Sequence, residues 1–155
     1  TFHGNAQILS EAKLAGGGLR LQLQYVDVRE PKDIEIAFRE AKKGRAEAVL
    51  VLAGPVFFFE RRQLAGLAVK SRLPAIYYAT EFVEDGGLIT YGANRAELHR
   101  RASVYVDKIL KGAKPADLPI EQPTKFELVI NLRTAKQIGL TIPPNVLARA
   151  DRVIK

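Results

Sequence analysis

The 155-residue chain has no cysteine, methionine or tryptophan, and its only histidines are His3 and His99. Without cysteine there is no disulfide framework, thiolate nucleophile, zinc ribbon or iron–sulfur site. A cysteine-free chain suits cytosol and periplasm alike, so composition leaves the redox compartment open. No apolar run approaches the ~20 residues that cross a bilayer. The longest, Ala48 to Phe59 (AVLVLAGPVFFF), is interrupted by Gly54-Pro55. Long runs of one charge are also missing, although the net charge is +7 and the pI near 9.8. The positive residues fall in short clusters such as Lys42-Lys43, Arg61-Arg62 and Arg100-Arg101, which reads as a solvated face. With no aromatic RNA-binding signature and no zinc-finger spacing, nucleic acid is not an expected partner.

Catalytic equipment is equally sparse. Serine occurs only at Ser10, Ser71 and Ser103, none in a G-x-S-x-G elbow. Gly16-Gly17-Gly18 lacks the spacing of a phosphate loop and precedes, rather than follows, a candidate strand. His99 lies beside Arg100 on a basic helix face and reads as solvent-facing. Metal-ligand spacing and cofactor motifs are missing, so the expectation is a non-enzyme without cofactor or metal.

What the chain does have is globular. Its apolar fraction is 47% and its charged fraction 26%, with twelve Gly and eight Pro that show no period. Leu19 to Val26 (LRLQLQYV) alternates as a half-buried strand does. Pro31 opens a helix carrying Ile34, Ala37, Phe38 and Ala41, and Gly44 ends it. Glu47 to Ala53 reads as a strand buried on both faces, Phe57 to Arg72 as a helix, and Leu73 to Tyr78 as a third strand. That order is a βαβαβ unit with right-handed crossovers. A short helix from Thr80 stops at Gly86-Gly87, and Leu88 to Tyr91 is a strand. Asn94 and Glu97 form a capping box that starts a long helix with Leu98, Tyr105, Ile109 and Leu110 on one face. Gly112 to Pro123 is a Pro-rich connector, Phe126 to Asn131 a strand, and Thr134 to Ile138 a brief helix ended by Gly139. The tail after Pro143-Pro144 reads as one or two more amphipathic turns. A helix is expected from Asn5 to Ala15, with no strand before it, so the sheet starts one element late.

The stretch YVDKILKGAKPADLPIEQPTKFELVINLRTAKQIGL (Tyr105 to Leu140) resembles the C-terminal region of bacterial ABC-transporter substrate-binding proteins of the tryptophan/tyrosine-binding (TrpX-like) family. RLPAIYYATEFVEDGGLITYG (Arg72 to Gly92) and VLVLAGPVFFFERRQ (Val49 to Gln63) agree with it. The resemblance runs from about Leu19 to Ile154 and fades in the first eighteen residues. It implies an α/β fold: the three-layer, parallel-sheet lobe of a type I periplasmic binding protein, truncated, with crossing segments. By that analogy residues 1–78 form most of a second lobe lacking its first strand. Residues 79–122 cross to the first lobe near Ala79 and give it a strand and a helix, and 123–155 return to the second lobe. A complete member is about twice this length, and no initiator Met precedes Thr1, so the expectation is a chain without most of its first lobe.

The function implied is that of a solute-binding component of an ABC import system. The protein would be periplasmic or otherwise extracytoplasmic, closing its lobes on a small amino-acid-like ligand and presenting the closed form to a membrane permease. A ligand-sensing domain of a regulator or receptor with the same fold is the alternative. In open α/β sheets ligands lie beyond the carboxyl ends of the strands. The expected ligand-binding residues are therefore Gly54, Pro55, Phe57, Phe58, Thr80, Glu81 and Tyr91. Each has a plainer role to weigh against this: core packing for Phe57 and Phe58, a helix cap for Thr80, hinge packing for Tyr91. Many relatives carry a polar pair where this chain has Gly54-Pro55, which bears on amino-acid specificity. With one cleft wall well formed, this chain alone is expected to bind weakly or not at all. The uncovered face with Leu98, Tyr105, Ile109 and Leu110 is expected to drive a homodimer with exchanged elements.

Overall fold

The computed structural model describes residues 3–155, with side chains from Gln7 onward. His3 is thus known only by its backbone. The first helix, α1 (His3–Gly18), outlasts its expected end at Ala15 by running through the three glycines. Of Leu19 to Val26, expected as a strand, Leu19 and Arg20 form a turn and Leu21 to Val26 are unpaired. Leu19, Leu21, Leu23 and Tyr25 are 47–71% exposed. The alternation is present, but no strand among the described residues hydrogen-bonds to it, and a strand exists only as part of a ladder.

From α2 (Asp33–Lys43) onward the chain builds one five-stranded sheet in the order β1-β2-β3-β4-β5. Asp33 stabilises the start of α2 by accepting from the Arg29 and Glu30 amides at 3.0 and 3.1 Å, and Gly44 closes it as expected. β1 (Val49–Leu50) is shorter than its apolar run because it has a partner on one side only. The helix expected at Phe57–Arg72 is two: α3 (Pro55–Phe59) and α4 (Arg61–Ser71), broken at Glu60. β2 (Ala75–Tyr77) pairs parallel with β1 and with β3 (Ile89–Ala93), and α5 (Thr80–Glu84) links those two.

β3 pairs antiparallel with β4 (Phe126–Asn131) over five residues, from Ile89–Ile130 to Ala93–Phe126. Between them run α6 (Arg95–Leu110) and the connector, whose only helical turn is Pro115–Asp117. The strand of the 79–122 segment therefore pairs inside this sheet, and the chain leaves it at Asn94 rather than near Ala79. α6 buries none of its residues. After β4 come α7 (Leu132–Ile138) and α8 (Pro144–Leu147), then β5 (Arg152–Ile154), which pairs parallel with β4. α8 is one of the amphipathic turns expected after Pro143-Pro144, while β5 takes the place of helix at Val153. A period-2 signal three residues long is lost beside that apolar spacing.

The register sorts the sheet into two faces. Val49, Ala75, Tyr77, Thr90 and Val129 share one, and Leu50, Ile76, Ile89, Tyr91 and Ile130 share the other. The first is covered throughout: Tyr77, Thr90 and Val129 are 1–2% exposed. Ile34 and Phe38 of α2, Leu64 and Ala68 of α4 and Phe82 of α5 form its main core. The second face is covered only near β4, where Ile130 packs with Ala135 of α7 and with Leu88 and Ile142. Toward β1 it is bare, with Leu50 55% exposed and Ile76 36%. The strand expected to be buried on both faces is thus buried on one.

Candidate functional site

The loop after β1 and the turn after β2 end side by side, which is what a parallel pair dictates. Gly54 sits before α3 in extended conformation, and its carbonyl accepts from the Phe58 amide at 3.1 Å and the Tyr78 hydroxyl at 3.2 Å. Pro55 opens α3 and is exposed. Phe57 is half-buried against the main core.

Phe58 has two environments. One edge meets the Phe82 ring at 6.5 Å and 76°, which ties it to the core. Two guanidiniums stack on its ring, those of Arg61 at 5.2 Å and Arg95 at 5.3 Å from the centroid. Such stacking is attractive because the ring face is electron-rich.

Thr80 is the first residue of α5 and not its cap. Ala79 holds the cap position, and no side chain caps that helix. Next to Thr80, Glu81 has one carboxylate oxygen 3.7 Å from Arg95 Nε, while its Oε2 is buried without a hydrogen-bond partner. Tyr91 stands apart: it belongs to the opposite face of the sheet from Tyr77, is 57% exposed, and stacks on Phe126 at 5.7 Å. Gly54, Phe57, Phe58, Thr80 and Glu81 thus gather at one end of the β1–β2 pair, and Tyr91 marks the β3–β4 crossing.

Three groups here were not singled out from the sequence. Tyr78 buttresses the Gly54 loop, meets Phe82 edge-on at 5.3 Å, and has its phenol pKa pushed up mainly by burial. Arg61 reaches back to the Phe58 carbonyl at 3.2 Å, with its Nε 2.7 Å from Asp85 Oδ2. Arg95 follows the cap residue Asn94, and nothing in its local sequence separates it from any basic residue in a first helical turn. Only its place directly after β3, whose parallel neighbour β2 leads into α5, brings it to Glu81.

A concavity of about 380 Å³ lies away from the strand ends, between α6 and the connector. Leu98, Tyr105, Ile109, Leu118 and Ile120 line it. Arg101 ties the connector down by donating from Nε to Glu121 at 2.8 Å and holds the Glu121 carboxyl below the usual carboxylate range. Tyr105 donates to the Pro119 carbonyl at 2.7 Å. His99 is exposed. Among the described residues no group of three His, Asp or Glu is placed to hold a metal, and no helix is long and apolar enough to cross a membrane.

Solved structures share this architecture. A conserved domain protein from Vibrio cholerae O1 biovar El Tor superposes with a TM-score of 0.88 at 24% identity, over 96% of this chain and 50% of that one. An ABC domain from Streptococcus pneumoniae, solved in complex with L-Trp, gives 0.87 at 26%, over 97% and 50%. The ligand-free, open form of a substrate binding protein with adhesive properties from Clostridium difficile gives 0.70 at 17%, over all of this chain and 52% of that one. A search of the curated proteins finds no match. This chain spans about half the length of the solved proteins it resembles. The fold is the mixed α/β lobe of a substrate-binding protein, and the family model described as ABC transporter substrate binding protein matches residues 6–154, so the chain belongs to that family.

Proposed function

We propose that this chain supplies one wall of the ligand cleft in the solute-binding component of an ABC import system. It works outside the cytoplasm and delivers a small amino-acid-like molecule to a membrane permease. The reading rests on the gathering of Gly54, Phe57, Phe58, Thr80 and Glu81 at the carboxyl ends of adjacent parallel strands, the place where open α/β sheets take ligands. Apolar rings, exposed backbone and a carboxylate are the mixture that a small amphiphilic solute requires. The Streptococcus pneumoniae relative with bound L-Trp supports the ligand class. Phe126–Asn131 and Arg152–Ile154 complete this lobe. The segment from Asn94 through Gln122 belongs with the opposing lobe, because α6 buries nothing against the sheet it leaves. Closure then turns about the β3–β4 crossing, where Tyr91 and Phe126 stack.

The experiment is an amide-resolved NMR titration of the 155-residue chain with L-tryptophan. Binding with a Kd on the order of 1 mM, worth only ~4 kcal/mol, is expected, with saturable shifts at Gly54, Phe57, Thr80 and Glu81. Shifts confined to the α6 groove, or none at all, would overturn the reading.

A further inference from the structure

Among the described residues, six helices end in the same hydrogen-bond pattern. An amide just past the helix donates to the carbonyl five positions back: Leu21 to Gly16, Ala46 to Ala41, Leu73 to Ala68, Gly87 to Phe82, Ala113 to Lys108 and Leu140 to Ala135, at 2.7–3.0 Å. The pattern puts the residue before that amide in left-handed backbone, which glycine adopts without steric cost. Gly86, Gly112 and Gly139 fill the position after α5, α6 and α7, at φ 98°, 100° and 77°. After α1, α2 and α4 it is filled by Arg20, Arg45 and Arg72, at φ 56°, 56° and 53°. A side chain costs stability in that conformation, and strain kept three times over for the same side chain points to a use for its charge.

The α2 and α4 turns meet at one edge of the sheet. β1 and β2 are parallel, and the Val49 amide donates to the Pro74 carbonyl at 2.8 Å, so both turns lie where these strands begin. Gly54 and Glu81 gather at the opposite edge. Arg20 leads into the segment whose Gln24 side chain lies against Gly44, at the end of α2. Arg39, Lys42, Lys43 and Lys70 join Arg45 and Arg72, with Glu40 and Glu47 as the acids of the same turns. All six cations are exposed, and among the described residues none takes part in an ion pair. Complementing a helix dipole accounts for lysines in a last turn, but not for arginines in left-handed backbone.

We propose that this edge docks the protein on an anionic phospholipid surface. Its cations stand exposed on separate turns, which suits an array of headgroups better than a single anion. Leu19 and Leu21, 71% and 58% exposed on either side of Arg20, supply apolar contacts that a bilayer interface takes up and a soluble polyanion does not. Docking by this edge leaves the strand-end site free and holds the protein beside a membrane permease. It does not depend on which ligand the cleft takes.

The test is co-sedimentation of the 155-residue chain with phosphatidylcholine vesicles, plain or containing about a third phosphatidylglycerol. Binding is expected only to the anionic vesicles, and about 0.5 M salt should release it, because exposed charges are screened. Arg45→Gly with Arg72→Gly should weaken binding about 25-fold, about fivefold for each cation removed. The same pair should raise the melting temperature, since glycine relieves the left-handed strain. Lys114→Gln with Lys125→Gln removes as much charge from the connector and should leave binding within about twofold. An equal loss in this second pair would show that net charge alone binds, and the docking edge would fall. No binding to anionic vesicles at low salt, or capture by soluble polyphosphate but not by vesicles, would sink the proposal as well.

Discussion

Tyr77 carries the least accommodated polar atom of the main core. Its ring is 2% exposed and stacks on Phe82 at 4.7 Å and 15°, while its hydroxyl is buried with no hydrogen-bond partner. Burial alone pushes the phenol pKa far up. A buried hydroxyl without a partner costs about 1–3 kcal/mol. Tyr77→Phe is therefore expected to leave the melting temperature unchanged or raise it in a thermal scan, and a loss of more than about 1 kcal/mol would show the hydroxyl to be engaged. Tyr78, the residue after β2, uses its hydroxyl on Gly54, so adjacent tyrosines have opposite fates. Gly92 shows the same locality: a Cβ there would collide with the Tyr78 carbonyl oxygen, so β3 approaches the β2 turn closely only because this residue has no side chain. Sequence order placed Gly54, Phe57, Phe58 and Glu81 correctly at strand ends, since a parallel βαβ chain sends its loops to one edge. Arg95 was illegible because its partners, Phe58 and Glu81, belong to other elements.

Elements with their own start and stop signals form where the sequence puts them. Asn94 accepts from the Glu97 amide at 2.7 Å and launches α6. The capping box is only half made, because the Asn94 amide donates to the Lys125 carbonyl and Glu97 pairs with Arg100. At α7, Asn131 accepts from the amides of Arg133 and Thr134 and donates to the Val83 carbonyl at 3.3 Å, while Gly139 ends the helix at φ 77°. That one side chain starts α7 and ties it to α5. Asn131→Ala is expected to cost about 1 kcal/mol for the cap and a further ~1–3 kcal/mol for the stranded carbonyl, so about 2–4 kcal/mol by urea denaturation. Asn94→Ala, whose helix is exposed, should cost only about 1 kcal/mol. Equal losses would mean that the Val83 contact contributes nothing. Elements that need a neighbour fared worse. Leu19 to Val26 has the alternation of a strand and no ladder, and β1 kept two residues of an expected strand of seven. β5 was hidden because its three residues pair only once β4 is in place.

Across the whole molecule, apolar surface is distributed unevenly. One face of the sheet is sealed by α2, α4 and α5, and the other is open over β1 and β2. Ile109, Leu110 and Ile120 are 40–101% exposed on α6 and its connector. Contiguous apolar area of this kind favours association. The expected outcome of native mass spectrometry is a dimer at twice the 17.1 kDa chain mass. A monomer at every concentration tested would show that these faces are tolerated in water.

By itself the sequence determined the family, the alternation of strands and helices from Pro31 to Asn131, and the sheet edge at which Gly54, Phe58 and Glu81 gather. Those features follow from local spacing, caps and long specific motifs, which act over a few residues. Tertiary structure decided which extended segments became strands, which sheet face was covered, and which charges met. These depend on partners distant in the chain: a ladder needs a second strand, burial needs an opposing helix, and the Glu81–Arg95 pair needs β3 to pair beside β2.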